Sequence, residues 1–527
     1  MTILTAKPPS LSRGLALAAI LLCITLVYGN VITPYFCADD DFIGAYRAKF
    51  LDARAPAKMF TAPQTAFKYR PLCTALNLVT YRISGGTAVA YRIRGLLFHL
   101  ANVLLLYYLS RLLFYPAAVG LAAALLFGLH PIADQSVIGA IWTQTINHFF
   151  YLLTLVIFIV ASRSSRPFLV TLASGLAAVT GLLFYDVNVA VFGSMFAWLI
   201  AARFLEKEAP GKRVWGCFVA VTLGVLALYL GMRAIFLPAG FGQAAAGIPT
   251  PAAVLKNLGM YAAAAVIPLD SVLAARWFGR PFPSEPGFLS GAFWLVALSG
   301  AVVILLALFA VWKLLKARRP LAGWAADLFL LFSAALPLVP VLVFSGHASE
   351  TYLYLPVAFL SLVAASLLFH VCMLWSPERG AAVFLVAVVG AAAWFGVATV
   401  VKNQCVAACG ATAHRILTSV PVSKLSPGST LTFFDEPGGP PSRHYGFYGF
   451  TGLDTVGNRP GERSRSLQYG LQLIHGNEGI RAEVLDSLDP LRDVLREPSG
   501  RIFFSVRWDG AVTELDPGSQ SFGLPAF

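Results

Sequence analysis

Long apolar runs alternate with short polar loops from the first dozen residues to about residue 401. Crossing roughly 30 Å of hydrocarbon takes about 20 helical residues. Runs near that length lie at 14–33, 95–114, 117–130, 148–162, 168–186, 187–203, 214–236, 289–312, 323–345, 353–375 and 380–401, those at 117–130 and 148–162 being short. The pattern predicts about 11 transmembrane helices. A weaker run at 254–268 contains Lys256 and Asn257 and ends at Pro268, which suits a re-entrant or interfacial helix. The first run follows Lys7 and Arg13, as the core of a signal peptide would. It is longer than the usual core of about 7–15 residues and lacks a small-x-small cleavage site, so it reads as a retained helix.

After Val401 the rhythm changes. A Gly/Pro-rich stretch at Glu436–Pro441 precedes strand-like fragments such as Arg501–Trp508, and this alternation with turn signals predicts a small α+β domain over 402–527. No repeat of about 33–45 residues is visible, so the tail is not a solenoid. The expected organisation is a transmembrane domain over 1–401, with a long first outer loop at 34–94, and a soluble extracytoplasmic domain after it.

Composition agrees with this reading. The chain is 57% hydrophobic and 12% charged, with a mean hydropathy of +0.72, about half the charge of a soluble domain. Disorder is excluded, since it needs low hydrophobicity. Seven cysteines in 527 residues make neither a disulfide scaffold nor a zinc ribbon. The net charge of +13 divides unevenly: 402–527 holds 12 basic and 13 acidic residues, so the excess belongs to the membrane part. There it can meet anionic head groups or a phosphorylated lipid. No soluble basic groove is present, which argues against nucleic acid.

Basic residues at the N-terminus, Arg111, Arg163–Arg166, Arg203–Arg213, Lys313–Arg319 and Arg379 mark one side as cytoplasmic, and the loops at 130–146, 185–188 and 346–351 carry no Lys or Arg. The loop at 34–94 opposes the rule with nine basic and four acidic residues. A separate use for that charge leaves the N-terminus cytoplasmic and the C-terminal domain outside.

Candidate chemistry sits near the outer helix ends. Asp39, Asp40 and Asp41 are consecutive just beyond the first helix, and their mutual repulsion calls for a cation, a proton or a basic partner. One carboxylate is a candidate general base on an acceptor hydroxyl or amine. Another is a candidate ligand for Mn²⁺ or Mg²⁺; Asp40 and Asp186 are the metal candidates. Arg70, with Lys68, Arg92 and Arg94 in reserve, can neutralise a phosphate leaving group. Further candidates for substrate contact are His130 before Pro131, Asp186, Arg233 and Glu350 beside His347. His99 and Asn102 share a helix face and read as helix–helix glue. Cys37 and Cys73 share the outer loop and are a candidate disulfide pair, while Cys405 and Cys409 are badly spaced for one.

Five segments in order resemble one family. They are the Asp pair after the first helix; Tyr69-Arg-Pro-Leu72 with Phe98-His99-Leu100-Ala-Asn102; His130-Pro131; Asn257 with Tyr261 and Pro268; and Ser349-Glu350-Thr351-Tyr352-Leu353-Tyr354-Leu355-Pro356. Over about residues 14–400 this resembles the GT-C membrane glycosyltransferases, in particular the transmembrane O-mannosyltransferases with TPR tails and their bacterial relatives. The resemblance implies a GT-C fold in the bacterial inner membrane. It also implies transfer of a sugar, usually with inversion, from a polyprenyl-phosphate donor to a glycan, lipid or protein acceptor outside the cytoplasm. By this resemblance the base is Asp40 or Asp41, with Asp39 spare, and Tyr69 and Tyr352 join the substrate-binding candidates. The chain departs from the family pattern at Tyr185-Asp186, Asp134-Gln135 and Thr351, and it has no TPR tail. A transporter of lipid-linked glycans and an inactive relative serving as a scaffold stay open as alternatives.

Overall fold

The computed structural model describes residues 11–50, 69–206, 210–236, 250–266, 321–342, 350–375, 378–421, 429–436, 444–445, 448–449, 452–457, 463–485 and 501–515. The helices are α1 (Leu11–Gly29), α2 (Asp39–Phe50), α3 (Pro71–Ser84), α4 (Val89–Leu112), α5 (Ala117–Leu129), α6 (Asp134–Ile138), α7 (Gln144–Ser162), α8 (Pro167–Phe184), α9 (Ala190–Leu205), α10 (Lys212–Phe236), α11 (Pro251–Val266), α12 (Leu321–Ala335), α13 (Tyr354–Trp375), α14 (Gly380–Ser419) and α15 (Arg463–His475). Among the described residues, nine helices are long and apolar enough to cross a membrane, and α5 with Pro131–Ile138 forms a tenth span bent by 51°. The expected span at 289–312 lies outside the described residues.

The sequence places the bend. Pro131 cannot continue α5 through a backbone donor, and the residue before a proline is pushed out of the helical region. His130 accordingly takes φ −66° and ψ 123°. Its ring accepts the Ile132 N–H at 3.3 Å and caps the short 3₁₀ turn that follows. The chain then turns back through α6 to start α7 at the same end of the bundle.

The expected weak span at 254–268 is the 16-residue helix α11. At 1.5 Å per residue it is about 24 Å long, short for a full crossing. Asn257 donates to the Leu342 carbonyl at 3.3 Å, which fastens α11 to the short helical turn Val339–Leu342 beyond α12.

Helix α14 runs 40 residues without a break, so it passes straight through residue 401. At about 60 Å it is twice the hydrocarbon thickness. Residues 402–419 are therefore the projecting half of a membrane helix, and the sheet starts only at Thr430. Strands β1 (Thr430–Asp435), β4 (Arg481–Val484), β5 (Arg501–Val506) and β6 (Val512–Leu515) form one sheet ordered β4-β1-β5-β6. Both neighbours of β1 run parallel to it and β6 is antiparallel to β5, while β2 (His444–Tyr445) and β3 (Tyr448–Gly449) pair as a small hairpin. The small α+β unit is as the alternation predicts.

This unit rests on the first outer loop. Phe42 of α2, Ala413, Ile416 and Leu417 of α14, and Leu467 and Leu471 of α15 share one buried cluster with Leu431 and Phe433 of β1. Tyr46 stacks on Tyr469 with ring centroids 4.0 Å apart and planes within 4°. The expected Cys37–Cys73 pairing is not seen: both are free thiols. Cys73 packs with Ile146 and Phe184, whereas the Cys37 thiol hydrogen-bonds that of Cys409. α14 reaches the first loop because it continues unbroken past residue 401 to Ser419.

Close approach also fixes the register of α4. A Cβ on Gly95 would overlap the Val137 carbonyl oxygen, while Gly231 on α10 faces open space. Gly95→Ala is expected to cost about 1–3 kcal/mol through overpacking against backbone. Melting curves in detergent should show a lower midpoint for Gly95→Ala than for Gly231→Ala; equal midpoints would contradict the packing.

Candidate functional site

Several of the described helix ends converge, and two polar clusters form among them. The first is built on Arg70. Pro71 occupies the first turn of α3 and holds Arg70 in a non-helical conformation, φ −136° and ψ 61°. Its side chain extends away from α3 toward the end of α8. There Tyr185 is extended and Asp186 opens a 3₁₀ turn. Arg70 Nη2 donates to Asp186 Oδ1 at 2.9 Å, and the guanidinium lies 3.7 Å from the Tyr185 ring centroid. Burial works against the Arg70 charge, but Tyr185 and Asp186 more than offset it and hold the group above its ordinary pKa. Its carboxylate partner is still 41% exposed, so one face of the pair is open.

Arg233 in the last turn of α10 is the second cation acting on Asp186, and Tyr229 lies one turn earlier on the same helix. Tyr69 stacks on Phe236, with centroids 5.9 Å apart. Tyr352 hydrogen-bonds Tyr185 and lies near Tyr261 of α11. Tyr69, Arg70, Asp186, Arg233 and Tyr352, five of the expected site residues, are thus gathered into one cluster. Arg70 bonds Asp186 directly, Arg233 acts on the same carboxylate from farther off, and tyrosines surround them. Such a site can take an anion through charge-assisted hydrogen bonds while aromatic surface accommodates an apolar or sugar moiety.

The second cluster lies behind the first. Lys402 on α14 has no exposed side-chain surface; its Nζ donates to Glu350 Oε2 at 2.7 Å and to the Pro131 carbonyl at 3.0 Å, with Asp134 Oδ2 at 4.0 Å. Thr351 donates to Gln135 Oε1 at 3.2 Å. Glu350 therefore binds a lysine that the sequence reading overlooked. The His130 ring hydrogen-bonds the Ala265 backbone and meets Phe395 edge-on at 4.7 Å. Deeper still, Asn102 donates to the Tyr354 hydroxyl at 2.9 Å, and His99 bridges that hydroxyl at 2.7 Å and the Gly128 carbonyl at 3.0 Å. These contacts link α4, α5 and α13, the glue role read for His99 and Asn102.

The acidic triplet opens α2, directly after Ala38, whose φ of 71° is unusual for a residue other than glycine. Asp41 is buried: Oδ2 accepts the Cys37 N–H and Oδ1 the Ile141 N–H, each at 3.3 Å. The side chains of Asp39 and Asp40 lie outside the described residues. Ile141 also ties this region to α3, because Asn77 donates to its carbonyl at 3.1 Å. Asn77 follows Arg70 by two helical turns, about 10 Å of rise.

The reserve cations have other employment. Arg92 donates to the Val31, Thr33 and Tyr35 carbonyls, and Arg94 to Asn77, Thr80 and the Ala140 carbonyl. Both are buried and brace the loop backbone; Lys68 lies outside the described residues.

The described residues do not assemble a divalent-cation site. Among them no three of His, Cys, Asp and Glu gather, Asp186 is held by Arg70, and both Asp41 oxygens accept backbone donors.

No protein-family model and no curated protein matches the chain. Solved structures do. The archaeal oligosaccharyltransferase AglB from Archaeoglobus fulgidus, in complex with an inhibitory peptide and a dolichol-phosphate, is similar over 80% of this chain and 62% of its own, at 13% identity and TM-score 0.48. The chain thus spans about three fifths of the length of that protein. ArnT from Cupriavidus metallidurans in the apo state is similar over 94% of this chain and 93% of its own, at 13% identity and TM-score 0.48. ArnT bound to undecaprenyl phosphate covers 94% and 92%, at 14% identity and TM-score 0.45.

The Lys402 network makes a prediction of its own. Removing one partner of a buried ion pair costs about 3–5 kcal/mol, because the other charge is stranded. Lys402→Met should therefore melt well below the wild type, and adding Glu350→Gln should recover part of the loss. A double variant no more stable than Lys402→Met would show that the pair is not coupled.

Proposed function

We propose that this chain is an integral membrane glycosyltransferase of the bacterial inner membrane. It moves a sugar from a polyprenyl-phosphate donor to a glycan, lipid or protein acceptor on the extracytoplasmic face. The observation that carries this reading is the cluster of Arg70 and Arg233 on Asp186, ringed by Tyr69, Tyr185 and Tyr352, at the end of an apolar bundle. A polyprenyl phosphate has this split character, with its chain in lipid and its anion at the membrane edge. The motif resemblance over residues 14–400 points the same way.

In this mechanism the donor phosphate lies against Arg70 and Arg233. As the bond from the anomeric carbon to the phosphate oxygen breaks, negative charge grows on that oxygen, and the guanidiniums stabilise it without reorganising. The acceptor oxygen attacks from the opposite side of the sugar, which inverts the anomeric centre. A carboxylate at the start of α2 removes the acceptor proton. Asp40 is the better base, because Asp41 spends both oxygens on backbone donors and holds the loop in place. Asp39 and Tyr352 are assigned to substrate contact.

The test is transfer by purified protein in nanodiscs, offered a panel of polyprenyl-phosphate hexoses and pentoses with lipid and protein extracts, with and without Mg²⁺ or Mn²⁺. Arg70→Ala and Asp40→Asn should each lower transfer by about 10²–10³-fold, the usual effect of losing one charge-stabilising group or proton acceptor. Normal turnover by the Asp40→Asn, Asp41→Asn double variant would overturn the assignment of the base. Tight donor binding without turnover by the wild type would favour a transporter or an inactive relative.

A further inference from the structure

We propose that Cys37 and Cys409 are a redox pair that closes into a disulfide on the extracytoplasmic side, fastening the base of the acidic helix to the projecting half of α14. The proposal rests on the sidedness proposed above and not on sugar transfer. Two hydrogen bonds converge on the Thr455 carbonyl. The Cys409 thiol donates to the Thr455 carbonyl at 3.8 Å, and the Ala38 N–H donates to the same carbonyl at 3.1 Å. The two thiols hydrogen-bond each other. Next to Cys409, a Cβ on Gly410 would stand 3.2 Å from Tyr35 Cβ and 3.3 Å from the Tyr35 carbonyl oxygen. Glycine at 410 thus lets the helix backbone come close enough to bring Cys409 to Cys37. A disulfide needs its sulfurs to close to about 2 Å with Cβ atoms about 3.5–4.5 Å apart. Thiols already in hydrogen-bond contact require a small rotation to meet that geometry.

The join matters because of what hangs from it. Cys37 donates its backbone N–H to Asp41, and Ala38, with φ of 71°, leads straight into Asp39–Asp41. Thr455 belongs to the C-terminal unit, which packs on α2. A disulfide here would hold the acidic helix, the last membrane helix and the outer domain in one arrangement. It would also close a very long loop, for which the entropic stabilisation of the folded state is large.

Both thiols are buried, so oxidation belongs to assembly, before the C-terminal unit seats. The oxidant is of the protein dithiol–disulfide class. The Cys37 thiolate attacks one oxidant sulfur, breaking its S–S bond and releasing the first oxidant thiol. The Cys409 thiolate then attacks the Cys37 sulfur of the mixed disulfide and releases the second. Two cysteine thiols have then lost two protons and two electrons, and the oxidant has become a dithiol.

Full-length protein in membranes, blocked with N-ethylmaleimide before solubilisation and digested without reduction, tests this by mass spectrometry. A linked peptide joining Cys37 to Cys409, with Cys73 not joined to either, is expected. Melting of the wild type should shift several degrees lower in dithiothreitol, and a Cys37→Ala, Cys409→Ala variant should not respond. Alkylated Cys37 and Cys409 after denaturation in the blocking reagent would overturn the proposal, as would Cys37 joined to Cys73 or Cys405. Peptide mapping needs no variant, so poor folding of the double variant leaves the test intact. Sugar transfer that fails while the link is present would count against the function and not against the disulfide.

Discussion

Lys402 has no contact with solvent, yet it stands near the level where α14 leaves the membrane, between Glu350 and Asp134. An isolated ammonium there would cost many kcal/mol, and pairing makes its burial tolerable only if the donors are spent on well-placed acceptors. The Glu350 carboxylate and the Pro131 carbonyl meet that demand. In meeting it they tie the bent end of α5, the start of α13 and the long α14 to a single point. Tyr352 follows Glu350 by two residues and reaches Tyr185 on the far side. The geometry of the Arg70 cluster is in this sense inherited from Lys402.

The rest of the outer end follows from similar economies. Arg92 and Arg94 supply donors to loop carbonyls that would otherwise lie unpaired at a lipid boundary. With those two cations committed inside the fold, Arg70 and Arg233 are the arginines left facing Asp186. Charge in the loop after α1 is thereby divided between holding backbone and standing beside Asp186.

Much of this was legible in the chain. Uninterrupted apolar length marked the spans, and Pro131 after His130 marked a helix end, because both signals are local. Arg70, Asp186 and Arg233 could be named from polar residues at helix ends, and Tyr352 from the family resemblance. Their meeting could not, since no sequence spacing links α3, α8, α10 and α13. Lys402 was missed for a specific reason: a boundary placed at Val401 moved it into a soluble tail, where a lone lysine needs no partner. Read as part of the unbroken helix to Ser419, it would have demanded a buried carboxylate. The pairing expected from loop proximity, Cys37 with Cys73, is not formed, because Cys73 packs inward against Ile146 and Phe184.

The central claim is that the paired arginines at the bundle end recognise a lipid phosphate. Native mass spectrometry of the protein titrated with undecaprenyl phosphate and, separately, with the uncharged polyprenol of equal length tests it most directly. Saturable binding of the phosphate, little binding of the alcohol, and loss of that difference in the Arg70→Met, Arg233→Met variant are the expected results. Equal binding of both lipids by the wild type, or phosphate binding unchanged in the variant, would contradict the claim.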